Sequence, residues 1–492
     1  MTKDVYISGV WHRGQGAGFQ KTCPARGDVS WSGHAASPSQ VAQAVNSARS
    51  AFKDWSRRPQ IERSDILKAY ATALGQRREA IALAISRDMG KPLWESRMEA
   101  DAMAGKVGIS IAAQSERAGH KTSSAAFGGI DLSHRPHGVM AVMGPYNFPG
   151  HLPNGHIVPA LLAGNTCVFK PSELAPSAAA LMVEAMSESG LPHGCVNIVN
   201  GGRDTGAALI EADIDGLLFT GSAETGLYFH KHFAGRPEVI LALEMGGNNP
   251  LIVWEPCEVE AAADIAFLSA YLTSGQRCSC ARRLIIPKTG FGQSVLEAIS
   301  ERIEAVTLGS YSQEEAFLGP LVSSHAALNA LLFQQKLIDQ GAKAITPFQT
   351  IQQGSAFLRP ALIDVTSVPN LPDQELFGPL LQVIRVDSFD EAIRVANHTR
   401  FGLAAGLVSD DEALWQEAHM SLKSGVLARN RPTAGAASSV PFGGPGLSGN
   451  HRPSAYYAAD YCTWPQSSQV ADRAIIQSVA GFSGDWKKKG VS

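Results

Sequence analysis

Val139-Met-Ala-Val-Met-Gly-Pro-Tyr-Asn-Phe-Pro149 decides how this chain is built. Five apolar residues in succession, stopped by Gly144-Pro145, have the length and composition of a strand buried on both faces. Outward from it the same unit recurs. A helical stretch ends near Gly164-Asn165, and strand 166–169, a helix over 177–189 and strand Val196–Val199 follow. A helix after Gly202, strand 217–219, a helix after Ser222 and strand 239–243 continue the series. Strands that alternate with helices predict a parallel sheet covered on both faces. Ligands in such sheets bind beyond the carboxyl ends of the strands.

Before this region, residues 40–119 read as helical. Val41, Ala44, Val45, Ala48 and Phe52 recur at helical spacing, as do Ile66, Leu67, Tyr70, Ala73 and Leu74. Ser39, after Pro38, is the expected N-cap of the first helix. From 250 to 443 a second α/β stretch follows, with strands at 251–254, 283–286, 381–386 and Ala404–Val408. Residues 345–372 read as irregular. A glycine-rich loop, Gly443-Gly-Pro-Gly-Leu-Ser-Gly449, precedes a strand expected around Tyr456, Tyr457, Tyr461 and Trp464, and the last residues read as a mobile tail.

The 492 residues are 45% hydrophobic, enough for large cores and for more than one domain. A net charge of −3, with both signs scattered, argues against a nucleic-acid partner. Residues 157–169 form the longest apolar region, but Pro159, Gly164 and Asn165 interrupt it, and it is too short to span a bilayer. No signal peptide is evident. Seven cysteines at irregular spacing read as reduced thiols, so a cytoplasmic location is the expectation.

Two residues offer chemistry. Cys278, in Gly275-Gln-Arg-Cys-Ser-Cys280, stands in a polar turn, with Arg277 placed to favour a thiolate. A lone cysteine is more often a small buried hydrophobe. Glu244 ends the apolar run before Gly246-Gly247, where partial desolvation raises a carboxylate pKa toward that of a working base. A solvated strand end is the plainer reading. Together they suit a thiol that captures a carbonyl and a carboxylate that later activates water. Cys280 has no neighbouring His or Cys cluster to complete a zinc site and reads as a passive neighbour, so no metal is expected. Phe219-Thr-Gly-Ser-Ala-Glu-Thr-Gly226 turns from strand to helix through glycines, as phosphate-binding turns do.

Seven segments occur in one order: Pro145-Tyr-Asn-Phe-Pro149, Lys170-Pro-Ser-Glu173, Phe219-Thr-Gly-Ser222, Glu244-Met-Gly-Gly247, Gly275-Gln-Arg-Cys278, Glu375-Leu-Phe-Gly-Pro379 and Pro441-Phe-Gly-Gly444. The set resembles the NAD(P)-dependent aldehyde dehydrogenase superfamily over nearly the whole chain. The resemblance implies an α/β fold: a Rossmann-like cofactor domain (1–118 and 138–246), a catalytic α/β domain (247–445), and a small β oligomerisation element (119–137 and 446–475), ahead of a tail at 476–492. It implies a homodimer or homotetramer acting on a small aldehyde, with no nucleic acid or membrane partner.

The resemblance also assigns roles. Cys278 is the nucleophile, Glu244 the base, and Asn147 with the Cys278 N–H the oxyanion donors. Lys170 and Glu173 hold the adenosine ribose, and Glu173 disfavours a 2′-phosphate, so NAD is expected rather than NADP. Gly221, Ser222, Ala223, Glu224, Thr225 and Gly226 carry the pyrophosphate. Glu375 holds the nicotinamide ribose, and Phe377 packs near the nicotinamide or, equally, in the core. Many members carry Trp-Lys where this chain has Gly155-His156. That exchange widens the substrate tunnel and leaves the role of His156 open.

Four further stretches resemble one member more closely, an enzyme of bacterial arginine catabolism acting on an acylated acidic semialdehyde. They are His134-Arg-Pro-His-Gly138, Gly150-His-Leu-Pro-Asn-Gly-His156, Gly449-Asn-His-Arg-Pro-Ser-Ala455 and Tyr457-Ala-Ala-Asp-Tyr-Cys462. Arg429, Arg431, His451 and Arg452 are then the candidate receivers of the substrate's carboxylates. The alternatives are another acidic semialdehyde, such as succinate or glutamate semialdehyde, a cofactor-independent thiol hydrolase or acyltransferase, and a silent binding protein on the same scaffold.

Overall fold

The computed structural model describes residues 3–352, 354–474 and 480, so the tail expected at 476–492 lies, apart from residue 480, outside the described residues. Two seven-stranded sheets dominate. In the first, Ile240–Met245, Gly216–Gly221, Val139–Met143, Thr166–Lys170 and Val196–Val199 run parallel in that spatial order. The amino-terminal strands Val5–Ile7 and Val10–His12 extend its edge antiparallel. Val139–Met143 is buried at all five positions, as its unbroken apolar run predicts.

Eight helices surround this sheet: α1 (Pro38–Trp55), α2 (Gln60–Gln76), α3 (Arg78–Met89), α4 (Leu93–Arg117), α5 (His151–Ala163), α6 (Ser177–Glu188), α7 (Arg203–Glu211) and α8 (Ala223–His232). One core packs α2–α6 on one face of the sheet, and a second packs α1, α7 and α8 on the other. Each fully buried Val, Leu or Ile in them contributes about 1.5–3 kcal/mol. The cap of α1 differs from the expectation. Ser37, not Ser39, is the N-cap. Its hydroxyl accepts the Gln40 N–H while the Gln40 side chain returns to the Ser37 N–H, and Pro38 occupies the first turn, where no N–H is needed.

The second sheet has the order Lys343–Thr346, Ala361–Asp364, Leu380–Val386, Ala281–Pro287, Asn249–Val253, Ala404–Val408 and Val426–Arg429. Only its first strand is antiparallel. The expected irregular stretch 345–372 therefore contains a strand, Ala361–Asp364, that pairs inside the sheet. With four residues after Pro360, it carries too little pattern to stand out from the loops around it. A third sheet joins Lys121–Ala125, Gly128–Pro136 and Thr463–Val470 antiparallel. Its last strand begins at Thr463; Ala458–Tyr461 before it is a helical turn packed on α4 and α5 rather than strand.

Three residues, Gly246-Gly-Asn248, separate the end of strand Ile240–Met245 from the start of Asn249–Val253. The carboxyl edge of the first sheet thus faces the amino edge of the second, and Glu244, Asn249 and Cys278 all lie at this junction.

Candidate active site

Cys278 stands at the foot of Ala281–Pro287, after the helix Val259–Tyr271 ends. Three successive residues there are left-handed: Thr273 (φ 57°), Ser274 (φ 54°) and Gly275 (φ 72°). For the two non-glycine residues this costs about 1–3 kcal/mol each. Their side chains are held in exchange. Thr273 Oγ1 accepts Arg277 Nε–H at 2.7 Å and bonds to Glu95, and Ser274 donates to the Gly319 carbonyl at 2.6 Å. Gly275 admits no side chain, since a Cβ would sit 2.1 Å from the Gly378 oxygen.

The turn is pinned from four sides. Asn249 Nδ2 donates to the Cys278 and Cys280 carbonyls at 2.7 and 2.8 Å. Arg282 donates to the Gly275 and Arg277 carbonyls at 2.7 and 2.9 Å. Gln276 Oε1 accepts the Val322 N–H, and Asn147 Nδ2 donates to the Gln276 carbonyl at 3.0 Å. Asn147 therefore reaches the cysteine turn across 129 residues of sequence.

Cys278 is partly exposed as a residue although protein surrounds its thiol. Desolvation, then the charges of Glu375 and Glu244, push its pKa up to about 12, and Arg282 acts in the opposite direction. Arg277, expected beside the thiolate, is turned away. It is paired with buried Glu95 at 2.6 Å, donates to the Ala434 carbonyl and lies over the Phe148 ring. An uncompensated Glu95 in that position would cost more than a bare thiol, so the pair captures the guanidinium. Arg282 is the cation that the sequence reading missed; as a lone arginine at a strand start it carries no motif.

Glu244 is 4% exposed. Its Oε1 accepts the Ser454 N–H at 3.0 Å, while Oε2 is buried without a hydrogen-bond partner among the described residues. Burial raises its pKa well above the usual carboxylate range. The loop after Gly449 places Ser454 there: Asn450 bonds both the N–H of Leu243 and the carbonyl of Leu241. Glu375 approaches the same strand end at Gly246. Its Oε2 is 1.7 Å from where a Cβ of Gly246 would stand, so Gly246 is required for that approach. Arg282 donates to Glu375 Oε1 at 3.3 Å. Phe377 lies edge-on to Tyr146 at 5.8 Å and beneath the Arg282 guanidinium.

The other candidates line the carboxyl ends of the first sheet. Lys170 Nζ donates to the Pro171 and Gly201 carbonyls, and Glu173, half-exposed, is 3.5 Å away. Gly221 ends its strand against the Phe219 ring. Ser222 caps α8 by accepting the Thr225 N–H at 3.2 Å; Ala223 and Glu224 begin the helix. A Cβ on Gly226 would meet Met245 Sδ at 2.2 Å, so glycine lets α8 press onto the strand. First-turn N–H groups of a helix have no intrahelical partner and favour an anion. A helix start and an ammonium–carboxylate pair, both at the carboxyl ends of the first sheet, fit a dinucleotide's phosphates and ribose.

The four proposed carboxylate receivers are not brought together. Arg429 pairs with Leu407 in a register that runs through Ile252 to Ile285. That places it about 13 Å up the sheet from Ala281, where Glu412 binds its guanidinium and Trp415 stacks on it. Arg431 is exposed in the turn after Asn430. The loop beyond it does return to the cysteine turn, through Ala434. His451 and Arg452 line a cleft of about 550 Å³ with His137, His230 and the edge strand Ile240–Met245. Sequence spacing could not show this, because the chain bends at Asn450 and His451, where His451 takes a left-handed backbone (φ 63°), and the bend separates the direction of His451 and Arg452 from that of Ser454.

His156 is buried between Tyr461 Oη (2.8 Å from Nδ1) and Thr220 Oγ1 (3.1 Å from Nε2). Desolvation first, and Lys106 second, lower its pKa to about 3, so it is a neutral, structural imidazole near neutral pH.

Residues 11–467 match the model of the aldehyde dehydrogenase family. The chain is 51% identical to N-succinylglutamate 5-semialdehyde dehydrogenase of Paraburkholderia xenovorans, over 98% of this chain and 99% of the relative. It is 53% identical to N-succinylglutamate 5-semialdehyde dehydrogenase 2 of Caulobacter vibrioides, over 96% and 98%. The crystal structure of an NAD-dependent aldehyde dehydrogenase from Sinorhizobium meliloti superposes with a TM-score of 0.90 at 26% identity, covering 97% of this chain and 96% of that one.

Proposed function

The chain belongs to the aldehyde dehydrogenase family, and from that premise we propose that it oxidises N-succinyl-L-glutamate 5-semialdehyde to N-succinyl-L-glutamate with NAD, a step of arginine catabolism. The observation that carries the reaction type is the pairing of a partly exposed cysteine, Cys278, with a buried carboxylate oxygen, Glu244 Oε2, that has no hydrogen-bond partner among the described residues. The substrate rests on the names of relatives matched at 51% and 53% identity over nearly their full length.

Cys278 Sγ loses its proton to water and bonds to the aldehyde carbon as the carbonyl π pair moves onto oxygen, giving a thiohemiacetal oxyanion. Asn147 has spent one amide N–H on the Gln276 carbonyl, and its second meets the oxyanion together with the Cys278 N–H. NAD, when bound, supplies the acceptor for the hydride that leaves this carbon, and a thioester remains on Cys278. Glu244 then takes a proton from water, hydroxide adds to the thioester, and the C–S bond breaks to release the acid and restore the thiol. Lys170, Glu173, the start of α8 at Ser222–Gly226, Glu375 and Phe377 are the residues that would hold the dinucleotide.

Two further readings accompany this one. All seven cysteines are free, which supports a reducing, cytoplasmic setting. No helix among the described residues is long and apolar enough to cross a membrane. The sheet of Lys121–Ala125, Gly128–Pro136 and Thr463–Val470 is mostly exposed in the single chain, which supports a role in joining subunits into a dimer or tetramer. Light scattering of the intact protein checks this.

The test of the function is a panel of aldehydes assayed for NADH and NADPH formation. N-succinylglutamate semialdehyde with NAD is expected to give the highest kcat/KM, well above succinate semialdehyde, glutamate semialdehyde and hexanal. Hydrolysis of thioesters without NADH formation from any aldehyde would overturn the reading in favour of a thiol hydrolase.

A further inference from the structure

Glu95, Glu99, Met103, Lys106, Ser110 and Gln114 form one stripe along α4 and are all buried. Its two carboxylates are answered: Glu95 by Arg277, and Glu99 by Lys91 at 2.8 Å. Lys106 is not. It is 1% exposed, and its Nζ has no hydrogen-bond partner among the described residues. Ser110 Oγ and Gln114 Oε1, one and two turns further on, are also without partners, as is His151 Nδ1 on the facing helix. Buried polar atoms are nearly always bonded, so an unpartnered Lys106 Nζ with His151 Nδ1 near it on the facing helix marks a place built for something else.

That place adjoins the active site. Asn147, which touches the cysteine turn, is followed at intervals of four by His151 and Gly155, along one face of α5 and its lead-in. His151 and Gly155 are partly exposed, although the rest of α5 is largely buried. A Cβ on Gly155 would meet only Lys106 Cε, at 3.8 Å, so the face is open where the lysine borders it. The next residue, His156, bonds Thr220, which pairs in register with Glu244. The eight steps from Asn147 to Gly155 span about 12 Å at the helical rise.

We propose that Lys106 is the specificity-determining cation of this enzyme, receiving the terminal carboxylate of the substrate's acyl arm in the space above Gly155. The inference rests on the function proposed above. In N-succinylglutamate semialdehyde that carboxylate lies eight bonds from the reacting carbon, roughly 9–10 Å at the reach of an extended chain. The lysine stem covers the remaining distance. Burial lowers the Lys106 pKa to about 8, which still leaves an ammonium at neutral pH. A desolvated ammonium with no ion-pair or hydrogen-bond partner among the described residues gains its partner only when the diacid enters, and an uncharged aldehyde leaves it unpaired. Discrimination of this kind exceeds what apolar contacts deliver.

The test uses the full-length enzyme, N-succinylglutamate semialdehyde, and the same aldehyde with its terminal carboxylate converted to the primary amide. Wild type is expected to favour the acid by about 30-fold or more in kcat/KM, mainly through KM, the scale for losing one partner of a buried ion pair. Lys106→Met is expected to reduce that ratio to near one and to raise the melting temperature, because it replaces an unpaired buried charge with an apolar chain of similar length. If Lys106→Met does not fold, Lys106→Gln provides the same comparison. Loss of the preference in the variant supports the proposal. A preference retained in full by the folded variant overturns it and leaves the function intact. A wild type that does not oxidise N-succinylglutamate semialdehyde in preference to hexanal overturns the function itself.

Discussion

Glu244→Gln keeps the shape of a side chain and removes its capacity to take a proton. The structure lets the consequences be separated. Glutamine's carbonyl can still accept the Ser454 N–H now held by Oε1 at 3.0 Å, so the turn after Gly449 keeps its anchor. The change falls on Oε2, the buried oxygen without a partner. Losing a positioned general base costs about 100- to 10,000-fold, or about 3–5 kcal/mol of barrier, and it falls on thioester hydrolysis alone. Rapid mixing with NAD and aldehyde is therefore expected to show a burst of NADH near one per active site, then turnover slowed by that factor. Wild-type kcat is expected to rise with pH as the carboxylate, whose pKa lies well above 4.5, ionises; the variant's residual rate lacks that rise. Stability has the opposite sign. A carboxylate whose folded pKa is raised binds its proton more tightly when folded, so wild-type stability falls as pH increases from 4.5 through the raised value. Glu244→Gln is spared that loss and is expected to melt at or above wild type at neutral pH. A variant whose burst vanishes along with its turnover would refute the reasoning, because Glu244 would then act before the thioester forms.

Cys278→Ala is expected to abolish aldehyde oxidation while NAD binding, measured by calorimetry, stays within about threefold of wild type, since the first-sheet cradle does not include the thiol. Oxidation at a near wild-type rate would remove Cys278 from the mechanism. Glu173 stands 3.5 Å from Lys170 and half-exposed, where a 2′-phosphate would meet its charge. Glu173→Gln is expected to narrow the NAD-over-NADP ratio of kcat/KM by about tenfold, the scale of one like-charge contact at a partly exposed site. A wild type that prefers NADP would show the ribose assignment to be wrong.

The candidate reacting groups stood out in the sequence because their residue types sit in distinctive local backbone. A cysteine in a polar turn, a carboxylate ahead of two glycines, and an Asn between prolines each carry their surroundings with them. Gly246 is an example: the close approach of Glu375 demands it, and it sits beside Glu244 in the chain. The parallel strands were legible for a similar reason, since burial on both faces writes itself as an unbroken apolar run such as Val139–Met143. Short pieces such as Ala361–Asp364 carry too few residues to register.

Long side chains were another matter. An arginine or lysine reaches several ångströms in any direction, and what it finds there depends on elements hundreds of residues away. Arg277 is next to the nucleophile in sequence, yet Glu95, 182 residues earlier, takes it. Arg429 was a candidate receiver of the substrate's carboxylates, yet it ends strand Val426–Arg429, where Glu412 and Trp415 hold its guanidinium. Lys106 belongs to no motif, and its stripe on α4 reads as an ordinary helix face. The packing of α4 against α5 buries it beside Gly155 with no hydrogen-bond partner among the described residues. The sequence by itself determined which atoms can react, because reactivity depends on residue type and adjacent backbone. The tertiary structure alone decided which charges remain unpaired beside them, because pairing depends on distances that the order of residues does not contain.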